Sequence, residues 1–282
     1  MQVKWYDYTV LSAITNTDYE GEIKKQGDTV IIRTIPSITV SDYNIGQKLV
    51  YERPSSASIT MTIDKGKSWA IELDDIVKVQ TDLPLLNKFT DDAAMQLKIA
   101  IESAFFDDSG IYAGMTATTN TGLTAGVVSA GYNIGTAAAP VEISSTNVLD
   151  YIIDCGSVLD EANVPETGRW FVIPVWMAGL IKKSDIKDAS LTGDGVSPLR
   201  NGRIGMIDRF TLYNSGLLYN ASSVWYSLFG TKDAISFATQ LTETESLRSP
   251  DTFGDRVRGL QSYGYKVVKS EAYGALICKK AA

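Results

Sequence analysis

Apolar residues recur every three or four positions between 84 and 106: Leu86, Phe89, Ala93, Leu97, Ala100, Ile101 and Ala104. That spacing lines one face of a helix. Lys88, Asp91, Asp92, Lys98 and Glu102 fall on the opposite, polar face. At roughly 1.5 Å per residue such a helix is about 33 Å long, enough to span a domain. Met95 and Ile99 place apolar side chains within the polar face, which predicts a second contact on that side. Two starts are open. Pro84 suits a first turn, and Thr90 followed by two aspartates is a cap with acids near the positive helix end. Asp107-Asp108-Ser109-Gly110 ends the helix.

From Gly27 the period changes to two. Residues 29–35 are rich in β-branched side chains and predict a strand that Pro36 either ends or confines to a sheet edge. Ile38 and Val40 alternate with polar neighbours, Asn44-Ile45-Gly46-Gln47 is a turn signal, and Leu49-Val50-Tyr51 resumes before Pro54. Ile59, Met61 and Ile63 alternate cleanly, and Asp64-Lys65-Gly66-Lys67 predicts a hairpin turn into Trp69, Ile71 and Leu73. Residues 29–73 therefore read as extended, mostly antiparallel β structure. Its middle, 39–58, lacks the apolar content to fold back as a compact unit. It is a loop or an arm that packs on a neighbour.

The remaining segments are read in the same way. Residues 1–28 are weakly periodic and predict an extended arm. Residues 111–140, rich in Gly, Ala and Thr, form a junction. Val148, Ile152, Cys155, Leu159 and Ala162 line a helix, Trp170-Phe171-Val172-Ile173 is a strand buried on both faces, and 176–187 is a second helix. Residues 188–205 form a loop, and 207–213 with 217–219 a hairpin about Asn214-Ser215-Gly216. Together 141–222 make one subdomain. In the tail, strands at 224–229 and 234–239 flank a turn at 230–233, and 240–250 is a polar loop. Phe253, Val257 and Leu260 have helical spacing, and strands at 265–269 and 274–278 close the chain.

Composition narrows the function classes. A chain of 282 residues holds one large or two medium domains. With a net charge of −7 it has no global basic field to grip nucleic acid or an anionic membrane. The longest nearly apolar run, 171–181, is too short to span a bilayer, and the first residues lack a signal-peptide layout. Two cysteines, Cys155 and Cys278, make no disulfide framework and fit a reducing compartment. The absence of histidine removes the commonest general base and the commonest metal ligand.

The carboxylate pairs Asp74-Asp75, Asp91-Asp92 and Asp107-Asp108 sit where a strand exits and a helix starts and stops, which explains them without catalysis. There is no nucleophile elbow and no phosphate loop. Gly131-Tyr132-Asn133-Ile134-Gly135 lacks a dinucleotide-binding context, and Asp188 and Asp194 lack the ligand pattern of a calcium loop. Trp5, Trp69, Trp170, Trp176 and Trp225 are scattered anchors rather than a base-stacking platform. No catalytic residue, cofactor site or metal site emerges. Lys48 and Arg53, in the β arm, read either as ordinary solvated charges or as contacts to acidic residues of a partner.

At this point the sequence resembles the major capsid (coat) proteins of tailed bacteriophages. The residues that carry it are Asp18-Tyr19-Glu20-Gly21-Glu22-Ile23, then 27–36, Ile63-Asp64-Lys65-Gly66-Lys67, the long helix, Gly168-Arg169-Trp170-Phe171-Val172-Ile173-Pro174 and 251–278. The order of elements matches over essentially the whole chain. The resemblance implies an α+β fold: an N-terminal arm (1–28) reaching along a neighbour, and β structure (29–82) with an extended loop at about 37–62 lying over the next subunit. A peripheral domain (83–140) holds the spine helix (84–106), 141–222 form an axial domain, and 223–282 return to the peripheral domain. Tyr43, Lys48, Tyr51, Arg53, Met95 and Ile99 are the candidate inter-subunit residues.

The implied function is structural: self-assembly into an icosahedral shell enclosing double-stranded DNA. The implied partners are many copies of the chain, a portal protein at one vertex, packaged DNA in weak non-specific contact, and no membrane. Some relatives carry an N-terminal scaffolding extension; with Met1 as initiator this chain has none, which implies a separate scaffolding protein. The expected location is the virion, after synthesis in the host bacterial cytoplasm. Two alternatives stay open: a non-viral, encapsulin-like shell protein, and a carboxylate-based hydrolase or carbohydrate-binding β protein.

Overall fold

The computed structural model describes residues 6–7, 9–18, 29–33, 35–36, 38–48, 50–56, 58–74, 85–107, 110–112, 120–184, 205–250 and 252–281. The expectations for Pro84, Asp188, Asp194 and most of the 188–205 loop lie outside the described residues, as does much of the 1–28 arm.

The periodic segment forms a single helix, α2 (Leu85–Phe105), which runs through Thr90 without a break. A short helix, α1 (Leu11–Ile14), precedes it in the chain. Leu97, Ile101 and Phe105 of α2 are buried, as the three-and-four spacing predicts. Their partner is a three-stranded antiparallel sheet of β10 (Ile235–Arg248), β11 (Gly254–Val267) and β3 (Lys65–Asp74) in that order. The Phe105 ring meets Tyr265 of β11 edge-on at 5.0 Å. In the middle of the sheet Trp69 lies over Gly259, where a Cβ would come within 2.6 Å of the indole nitrogen. Gly259 is thus a seat for a large side chain.

β1 (Thr29–Arg33) and β2 (Ser58–Thr62) pair antiparallel, from Thr29↔Thr62 to Arg33↔Ser58. Val30, Ile32, Met61 and Ile63 gather with Ala238 in a small core of their own. The stretch between the two strands is a loop. Among its described residues none belongs to a strand, so the alternation at Ile38 and Val40 does not make one. Nor do β2 and β3 form the hairpin expected at 64–67. β2 pairs with β1, and β3 crosses to β11, from Lys65↔Tyr263 to Asp74↔Gly254.

A second, seven-stranded sheet runs β4 (Val141–Ile143), β12 (Tyr273–Lys280), β9 (Val224–Thr231), β5 (Arg169–Pro174), β7 (Phe210–Ser215) and β6 (Met206–Ile207), with β8 (Asn220–Ala221) on β9. It is mixed: β12 with β4 and β5 with β7 are parallel, the other pairs antiparallel. Every residue of β5 is buried, as its continuous apolar run predicts. α3 (Val148–Glu161) contributes Val148, Ile152, Cys155, Val158 and Leu159 to the core, and α4 (Val175–Lys183) contributes Met177, Ala178 and Ile181. Phe171, Phe210 and Phe229 form an aromatic cluster, with Phe171 at 5.5 Å and 5.6 Å from the other two rings. One continuous core joins this sheet to the α2 layer.

Three local expectations are corrected. Residues 240–250 are not a loop: β10 runs through them to Arg248, with a bulge between Leu241 and Glu243. The helical spacing of Phe253, Val257 and Leu260 does not make a helix, since 254–267 are a strand. Residues 217–219 do not return along β7. That strand pairs with β6 through a tight turn at Asp208 and Arg209, both with positive φ. The tail is also divided: β10 and β11 join β3, while β9 and β12 belong to the sheet of β5 and β7, so 223–282 do not return as one piece.

Arg169 had carried no expectation of its own and is fully buried. Its guanidinium donates to Asp160 Oδ1 at 2.7 Å and to the carbonyls of Val164 and Pro165 at 2.6 Å and 3.0 Å. Arg209 meets the other Asp160 oxygen at 2.8 Å and Glu166 at 2.7 Å. Asp160 is held below the usual carboxylate range by both arginines against the cost of its partial burial. The cluster ties the end of α3 to the start of β5.

Candidate assembly surface

The loop between β1 and β2 is the most exposed apolar stretch among the described residues. Ile45 is 102% exposed, Val50 95% and Val40 93%, with Ile35, Ile38, Tyr43 and Tyr51 also open. Its polar contacts include Thr39, which donates through N–H and Oγ1 to the Glu52 carboxylate at 3.1 Å and 2.9 Å, and a turn in which Gln47 N–H donates to the Asn44 carbonyl at 3.0 Å and Asn44 N–H to Gln47 Oε1 at 3.2 Å. So many open β-branched side chains on one segment make an exposed apolar patch of the kind that marks interaction surfaces.

The candidate inter-subunit residues fall on two surfaces. Tyr43, Lys48, Tyr51 and Arg53 are all exposed on the loop. Met95 is at the border of exposure on α2, and Ile99, one turn on, is half-buried. Ile38, Val40, Ile45 and Val50 share the loop with these four and are as open, although they carry neither charge nor an aromatic ring.

The arm behaves differently. Residues 10–17, expected to reach along a neighbour, lie on this chain's own helix and sheet. Val10, Leu11 and Ile14 are buried beside Leu97 and Ile101. Asn16 bridges to the edge strand β10, accepting from Phe237 N–H and donating to the Ile235 carbonyl, each at 2.9 Å. Further out, Tyr6 donates to Asp92 Oδ1 at 2.7 Å. Glu102, which the helical pattern put on the polar face, is 1% exposed and holds the arm. Its Oε2 accepts from the N–H groups of Val10 at 2.8 Å and Leu11 at 3.0 Å. Burial drives its pKa up from 4.5 to about 7, with the two N–H groups pulling the other way. Its position beside Ile101 was the one available signal, since a residue flanking a buried stripe is covered when a third element packs there.

The three-stranded sheet carries ion pairs between its strands and at its end. Glu72 accepts from Arg256 at 2.8 Å and from Thr252, and Arg248 pairs with Asp255 at 3.1 Å. Thr252 and Arg256 hold the Glu72 carboxyl down at about 2. Asp92 is engaged with Tyr6, and Glu72 with Arg256 and Thr252. Among the described residues no group of His, Cys, Asp and Glu is placed to hold a metal, and no helix is long and apolar enough to cross a membrane. Cys155 and Cys278 are buried, and burial raises both thiols.

A family model described as phage capsid protein matches residues 56–278. The chain belongs to that family. As a capsid protein it has a structural role, acts as many copies of itself and resides in the virion. Its α+β fold is that of the tailed-phage capsid proteins. It is similar to a structure from Mycobacterium phage Che8 at 27% identity and TM-score 0.78, over 98% of this chain and 93% of that one. It is also similar in fold to the capsid of Cyanophage P-SCSP1u, at 12% identity and TM-score 0.73 over 100% and 90% of the two chains. The capsid of a native GTA particle matches at 16% identity and TM-score 0.66, over 100% and 95%. Comparison with curated proteins finds no match.

Proposed function

We propose that this capsid protein closes an icosahedral shell around double-stranded DNA by laying its β1–β2 loop over adjacent copies. The observation that carries the reading is the row of open apolar side chains at 38–51, supported by a β1–β2 base whose own small core anchors it. Tyr43, Lys48, Tyr51 and Arg53 would contact the neighbour under the loop, and Met95 and Ile99 would receive a neighbour on α2. Each contact is weak alone, and repetition around a closed shell makes the sum strong.

In this reading α2 is the spine of a peripheral unit with β3, β10 and β11. The axial unit is built on the seven-stranded sheet, from 141 through β9 with β12 returning to it. The partners are a scaffolding protein, a portal protein at one vertex and packaged DNA. With a net charge of −7 the wall would confine DNA without gripping it. Synthesis would take place in the host cytoplasm.

Negative-stain electron microscopy of the purified chain, with sedimentation, tests this. Closed shells or regular tubes, alone or after addition of a scaffolding protein or crowding agent, are the expected result. A chain that stays monomeric under all these conditions would overturn it.

A further inference from the structure

We propose that Glu102 is a proton-operated clasp, which holds the arm segment 10–16 on α2 more tightly when its carboxyl is protonated than when it is ionised. The geometry is asymmetric. Oε2 has two N–H donors from the arm, while Oε1 is buried without any hydrogen-bond partner. A carboxylate spreads its charge over both oxygens, and here only one is solvated by the protein. Ionisation therefore leaves half the charge uncompensated inside the arm–helix contact. When the arm lifts, Val10 and Leu11 leave and water reaches both oxygens.

Among the described residues the surroundings offer little else to neutralise it. A cleft of about 270 Å³ beside Glu102 is lined by Thr9, Ser12, Lys98, Thr239 and Gln261, among others. Lys98, one turn earlier on the same helix, is the one charged group there besides Glu102, and it is exposed. The arm residues 9–17 carry no titratable side chain. From β10 and β11 come Phe237, Thr239 and Gln261, and beyond them Tyr263, whose ring packs on Phe237, and Tyr265, engaged with Lys65 at 2.8 Å.

The sign follows. The docked carboxyl titrates near 7 and the undocked one near its ordinary 4.5, so docking takes up a proton between those values. Docking is strongest at low pH and weakens as pH rises through about 7. From about pH 5.5 to about pH 8.5 the docking constant should fall roughly thirtyfold.

The test is peptide-resolved hydrogen exchange on the purified full chain at those two pH values, corrected for intrinsic exchange rates. Protection of 10–16 should drop by about that factor in the unaltered protein, while peptides from β5 keep theirs. Glu102→Gln, neutral at every pH, should show flat protection. Equal protection of 10–16 at both pH values in the unaltered protein would overturn the proposal, whatever the variant does. So would a Glu102→Gln profile that follows the unaltered one. The clasp stands apart from shell formation, and its failure would leave the capsid assignment untouched.

Discussion

The β1–β2 loop and strand β5 draw on the same apolar vocabulary and meet opposite fates. Val172 and Ile173 of β5 are fully buried, between β7 and β9 and under α4, whereas Val40, Ile45 and Val50 of the loop stand open. Both fit the rule that apolar surface seeks cover. They differ in where the cover is. The strand finds it within the chain. The loop has strands only at its base and, in the reading proposed above, finds it in another copy. On that reading the chain places part of its folding energy in the assembly.

The comparison can first be broken from the strand side. Phe171→Ala should cost about 3–5 kcal/mol by emptying the space between Phe210 and Phe229. The urea midpoint of the unassembled chain would report it as a large fall or as failure to fold.

Next comes the polar anchor of the same strand. Asp160→Asn leaves the buried Arg169 without its counter-charge and should cost about 3 kcal/mol in the same measurement. A change under about 1 kcal/mol would mean the carbonyls of Val164 and Pro165 suffice.

From the loop side, Val40→Ser with Val50→Ser should leave the unassembled chain's stability within about 0.5 kcal/mol, because nothing in the chain covers either residue. The same pair should reduce the yield of shells by sedimentation.

The smallest effect belongs to Glu72. Its carboxyl is held low, so its contribution is present above about 4.5 and is lost as pH falls through about 2. The melting temperatures of the unaltered chain and Glu72→Gln should differ slightly near neutral pH and converge toward pH 2.

How far the sequence could be read follows the same division. α2 and β5 were legible because each buries a face or a whole strand within the chain, so period and composition report it directly. The outer half of β10 was not. Glu243, Thr244 and Glu245 pair with Leu260, Gly259 and Arg258 across the strand, and Glu245 is ion-paired with Arg258. With little to bury there, the strand carried no apolar alternation and read as a loop. The pairing of β3 with β11, nearly 200 residues apart in register, is a long-range choice that a local turn signal could not reveal. Glu102 and Arg169 were missed for one reason: their burial comes from a third element, the arm in one case and the α3 terminus in the other. The loop's alternation at Ile38 and Val40 is legible in the sequence, but no strand of the chain pairs with it among the described residues.

The most direct test of the central claim, that the loop is covered by another copy, is hydrogen exchange of 38–56 in the free and the assembled protein. Fast exchange in the free chain and strong protection in the shell, with β5 protected in both, is the expected result. Equal exchange of 38–56 in the two states would contradict it.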